Sequence, residues 1–137
     1  MIKNIKIGPR GEILAVYDYD APDTVMTFVP ENALIEPYRY KWNGHSFIET
    51  TQFVDEKTIF DKKNEYRIWR SKYLSAYDRL GLYIIRGDLD PSTGRPYSPV
   101  TDAERNWRVQ VLNFTSTINL HTTESDYPVP PVRLEEV

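Results

Sequence analysis

Few residues in this chain have types and spacing that could do chemistry. The two histidines, His45 and His121, are isolated from one another and read as structural or exposed rather than as metal ligands, which must converge in threes and fours. Asp88-Leu89-Asp90-Pro91-Ser92 opens like a calcium loop. However, the sixth position holds Thr93 where the sharp turn needs glycine, and the twelfth holds Pro99 where a bidentate glutamate belongs. Asp18, Asp20 and Asp23 read as a solvated turn better than as an acid/base pair. No G-x-S-x-G elbow presents a nucleophile, and the glycines between Gly87 and Pro96 lack the spacing of a phosphate cradle. The chain has no cysteine, which excludes disulfides, thiol catalysis and thiolate zinc sites. The expectation is a protein that is not an enzyme and holds neither cofactor nor metal.

What remains is recognition. Ten Tyr and three Trp among 137 residues are a heavy aromatic load, and these side chains join a rigid apolar body to a polar edge that suits interfaces. The net charge of −3 has both signs interspersed, with no basic patch for phosphate, so nucleic acid is not expected as a partner. The opening MIKNIKIGPRG holds no apolar run of signal-peptide or membrane-span length, so the expectation is a soluble protein of the cytoplasm with no membrane contact.

These side chains must be positioned by a few elements. Tyr66, Trp69, Tyr73, Ala76 and Leu80 recur at helical spacing within residues 64–80, and Trp107, Val111, Phe114 and Ile118 do so within 101–118. Each large side chain is worth roughly 1.5–3 kcal/mol when buried, so the two stripes are expected to close on each other. Thr101 and Glu104 form a capping box at the start of the second helix, Asp55 or Asp61 is the N-cap candidate of the first, and Gly81 is expected to end or distort that first helix. Upstream, residues 2–17 read as a β-hairpin whose second strand is covered on both sides, followed by a short strand before Pro30. Asn43-Gly44 predicts a two-residue type I′ turn that sets Trp42 opposite His45 and Tyr40 opposite Phe47, with Tyr38 on the same face. Pro128, Pro130 and Pro131 predict an extended end. The fold class expected is α+β. It comprises a small antiparallel β-unit over residues 1–53 and an antiparallel two-helix hairpin over 54–118 with a long loop at 86–100. An extended Pro-rich tail over 119–137 follows.

The two helices and the tail resemble the C-terminal half of bacteriophage tail fibre assembly chaperones. In that family a helix with an R-x-x-L-L-x-x-T-D type stretch is followed by a second helix opening with Trp, then an aromatic-Pro-x-x-Pro tail. The matching positions are Arg70, Tyr73, Leu74, Tyr77 and Asp78, then Trp107, then Tyr127, Pro128 and Pro131, with Gln110 and Val111 departing from the pattern. The resemblance implies a non-enzymatic protein that binds a tail fibre or baseplate protein, in several copies per trimeric fibre. It would act in the host cytoplasm during phage assembly, or stay in the virion tail. Candidate partner contacts are Tyr40, Trp42, Phe47, Trp69, Tyr73, Trp107, Tyr127, Pro128 and Pro131. A generic adaptor is the alternative, reading a partner through the aromatic hairpin or presenting the P-x-x-P-x-R run from Pro128 to Arg133.

Overall fold

The computed structural model describes residues 1–137. Two compact units form, residues 1–58 and 59–137, and the division falls inside one long helix.

In the first unit, β1 (Ile2–Ile7) is the centre of a three-stranded antiparallel sheet between β2 (Ile13–Tyr17) and β3 (Val25–Phe28). Ile5 opposes Val16 on one side and Val25 on the other, and an irregularity at Lys6/Ile7 shifts the register towards Ile13. A short helix, α1 (Glu31–Ile35), follows, and then a separate hairpin of β4 (Tyr40–Trp42) and β5 (Phe47–Glu49). Ile5, Val29, Ala33, Tyr40 and Phe47 form the core, flanked by Ile7, Ile13, Val16 and Trp42. Only one sheet face meets that core. The expectation that β2 is covered on both sides is not met, because none of its five residues is fully buried and Leu14 is 54% exposed; on the other strands alternation leaves Ile2, Met26 and Phe28 exposed on one face.

The β4–β5 register also differs from the one that Asn43-Gly44 predicts. Trp42 pairs with Phe47 and Tyr40 with Glu49, across a four-residue loop. Asn43 closes that loop with its side chain: Oδ1 accepts the backbone N–H groups of His45 and Ser46, both at 2.8 Å, and Gly44 alone takes a positive φ of 98°. An Asx turn has displaced the type I′ turn.

The expected antiparallel two-helix hairpin is overturned by α2, a single helix from Gln52 to Arg86, 35 residues long. Asp55 and Asp61 lie inside it. It starts at Thr50 and Thr51, where Thr50 Oγ1 accepts the Gln52 N–H and Thr51 O accepts that of Asp55. Gly81 does not end it, since one interior glycine costs only about 1 kcal/mol and Leu82-Tyr83-Ile84-Ile85 propagate the turn. The stop is Gly87 at φ 70°, where the Gly87 N–H reaches Ile84 O and the Asp88 N–H reaches Tyr83 O. That pair of bonds is a Schellman motif, which needs the left-handed residue that glycine supplies.

The partner of α2 is α3 (Asp102–Asn113), a third of its length, continued by a 3₁₀ turn at Phe114–Thr117 rather than by helix to Ile118. The Thr101/Glu104 capping box is formed in both directions. The chain beyond Ile118 is not simply extended. A 3₁₀ turn at Glu124–Asp126 and a last helix, α4 (Val132–Glu136), fold it back onto the same core. Tyr66, Ala76, Leu80, Trp107, Val111, Ile118 and Leu134 are the buried residues of that core, so three separate segments close it.

Candidate functional site

Several residues of the resemblance, Tyr73, Trp107, Tyr127 and Pro128, meet in one place in the second unit, together with Tyr66 and Trp69. Tyr66 and Trp69 stand on adjacent turns of α2 and stack at 5.8 Å. Tyr127 comes from the tail and packs against both, its ring 4.8 Å from each and 5.8 Å from Phe114. Tyr73 lies edge-on to Trp107 at 6.4 Å, and the Trp107 indole N–H donates to the Pro128 carbonyl at 3.3 Å. The tilted and edge-to-face geometries are those that ring quadrupoles favour.

Tyr66 is fully buried, and its hydroxyl donates to Val111 O at 2.5 Å. Burial pushes its phenol up to about 12, against the opposing pull of Arg70 and with a smaller push from Tyr127. A phenol held neutral in the folded state stabilises fully below the usual value near 10. That contribution disappears as pH rises from about 10 to about 12, because the unfolded chain releases the proton first. Alkaline unfolding midpoints measured for wild type and Tyr66→Phe should therefore converge above pH 10, the variant being less stable at pH 7 and flatter above it.

The tail is pinned through three further residues, Thr122, Arg133 and Val137. Thr122 O accepts from Lys62 Nζ at 2.6 Å, and Val137 O accepts from Arg79 at 3.2 Å. Arg133 does the most: Nε and NH2 grip the two Glu104 carboxylate oxygens at 2.9 and 2.5 Å. Its NH1 reaches Ser98 O and Oγ, and NH2 also reaches Pro99 O at 3.2 Å. Glu104 is 3% exposed. Burial pushes its carboxyl up, but hydrogen bonds from Arg133 and the Thr101 N–H, together with the Arg133 charge, outweigh burial and hold it below the ordinary carboxylate range.

The nine expected partner contacts are thus largely committed within the chain. Trp107, Tyr40 and Phe47 are buried, and Trp42, Trp69, Tyr73, Tyr127, Pro128 and Pro131 are half-buried. Trp42 and Phe47 stack on each other at 5.0 Å, in the first unit. Arg133, the cation of the P-x-x-P-x-R run, faces inward. The apolar side chains left open are others. Phe60, Ile68 and Ile85 on α2 are 59%, 75% and 86% exposed, and Ile2, Met26 and Phe28 form the open sheet face of the first unit. Their signal was in the sequence, as apolar residues off the buried helical stripe and on the opposite strand parity.

A groove of about 500 Å³ beside Tyr40 is lined by Asn32, Glu36, Arg39, Glu49, Thr51 and Asp55. Its charges are partly paired, Glu36 with Arg39 at 3.2 Å and Asp55 with the Thr51 hydroxyl at 3.0 Å. Asp90, the second aspartate of the calcium-like run, turns its carboxylate back to the Ser92 N–H and hydroxyl at 2.9 and 2.7 Å. No group of three or more metal-ligating side chains converges, and no helix is long and apolar enough to cross a membrane. No family model, curated protein or solved structure matches the chain.

Proposed function

We propose that this chain is a non-enzymatic phage tail protein that binds tail fibre or neighbouring baseplate subunits. It acts as a fibre assembly chaperone in the host cytoplasm or as a retained part of the virion tail. The observation that supports this reading most is the convergence of the resembling residues. Tyr73 on α2, Trp107 on α3, and Tyr127 and Pro128 in the tail build one contiguous cluster. The cluster holds the tail down and leaves Phe60, Ile68 and Ile85 outward on α2. Long β-structured fibres expose apolar edges while they assemble, and exposed apolar side chains such as these can help to cover them. The adaptor reading through P-x-x-P-x-R is less well supported, since it requires Arg133 to leave Glu104.

Co-expression with the fibre polypeptide tests the proposal. The two should co-purify, and fibre solubility should rise. Recovery of each alone, with fibre solubility unchanged, overturns it. Ile68→Glu should lower fibre recovery about tenfold, equivalent to roughly 1.4 kcal/mol of binding. Its own stability should change by no more than about 0.5 kcal/mol, as expected for an exposed site.

A further inference from the structure

β3 is an edge strand, and three of its four residues are exposed. Sheet order puts β1 on one side of it and no strand on the other. The Val29 N–H donates to Met1 O, and Thr27 and Val25 stand opposite Lys3 and Ile5, so the residues of odd number turn their backbone towards β1. By alternation, Met26 and Phe28 turn their N–H and C=O groups away from the sheet. The same two residues carry side chains 73% and 64% exposed. Natural edges are blunted by charge, proline or a bulge. Val25-Met26-Thr27-Phe28-Val29 has neither charge nor proline, and the one register irregularity of this sheet lies between β1 and β2.

We infer that β3 pairs with β3 of a second copy of this chain, antiparallel, about a two-fold axis at Thr27. That register places Met26 opposite Phe28 of the second copy, and the same pair recurs across the axis. Each Met26–Phe28 pair exchanges two backbone bonds, so all four outward amides and their carbonyls are satisfied. On the open face each thioether meets an aromatic ring, a favourable contact. Because Phe28 also opposes Ile2 on β1, the row Ile2–Phe28–Met26–Asn4 runs unbroken across both copies. An uncharged strand brings no like charges face to face when it meets itself, which is why a second copy fits this edge. The interaction is independent of fibre binding through α2.

Sedimentation equilibrium on the full chain, with amide hydrogen exchange read by NMR, tests this. Twice the monomer mass is expected, with Met26 and Phe28 amides protected at high concentration and at least tenfold faster on dilution into the monomer range. The Val25 and Thr27 amides should stay protected throughout. Met26→Lys and Phe28→Lys should each sediment as folded monomers. Phe28→Pro, which deletes an outward N–H that β1 does not use, should do the same if it folds, as edge strands allow. A monomer at every concentration overturns the inference, and so does a dimer that survives both lysine variants. Protection of Met26 and Phe28 that appears only on adding fibre polypeptide also overturns it, and assigns the edge to the fibre instead.

Discussion

Arg133→Ala is expected to destabilise the second unit by about 3–5 kcal/mol, the range for removing one partner of a buried ion pair. The loss does not measure the attraction between the two charges. It comes mainly from leaving Glu104, 3% exposed, with a carboxylate that the Thr101 N–H alone must satisfy. The donors to Ser98 and Pro99 vanish as well, which unties the long loop from α4. Denaturant titration followed by tryptophan fluorescence reads the effect. Its pH dependence identifies the cause. In wild type the Glu104 carboxyl is held low, so its contribution is complete above the ordinary carboxylate range near pH 4 and is lost as pH falls through the lowered folded value. Without Arg133 the same carboxyl is buried and uncompensated, and the variant gains from protonation as the medium turns acidic. The gap between the two proteins should therefore narrow below about pH 5. A gap that stays constant would mean that Arg133 acts through packing of its stem alone.

Trp107→Ala should cost a similar amount, about 3–5 kcal/mol, through the cavity it leaves. Trp107 is 4% exposed, stands against Tyr73 and donates to Pro128 O, so its removal opens a void on α2 and releases the tail together. Trp107→Phe keeps most of the volume but loses the N–H and part of the fused ring, for which about 1–2 kcal/mol is the expected cost. Limited proteolysis distinguishes the two contributions. Cleavage within residues 119–137 should accelerate strongly in the alanine variant and only modestly in the phenylalanine one.

Much of the local structure is legible in the sequence. Thr101 and Glu104 satisfy each other's backbone N–H groups within four residues, and such a short-range exchange needs no tertiary information. The 3, 4, 3, 4 spacing from Tyr66 to Leu80 likewise marks a helix face that must be covered. Other local signals were outcompeted. Asn43 is suited to a type I′ turn, yet its side chain bonds two backbone amides instead, and the hairpin moves to a longer loop. Gly81 is a weak stop, and the apolar run after it outweighs the cost of a glycine until Gly87 supplies a left-handed cap.

Sequence by itself determined the faces: which side chains of α2 and α3 are apolar together, where the caps stand, and that the chain carries more aromatic surface than short elements can hide alone. Only the tertiary structure decided what covers those faces. Periodicity is a property of one segment, whereas cover depends on which distant segment the chain path brings back. Tyr127 sits 61 positions after Tyr66, yet their rings lie 4.8 Å apart. Tyr127 and Arg133 reach Trp69 and Glu104 because the turns at Glu124–Asp126 and the last helix fold the tail inward. Of the aromatics expected to meet a partner, Tyr40, Phe47 and Trp107 are buried within the chain, and Trp42, Trp69, Tyr73 and Tyr127 keep part of their surface open. More open surface falls to Ile68, Ile85, Met26 and Phe28, residues that no second layer reaches.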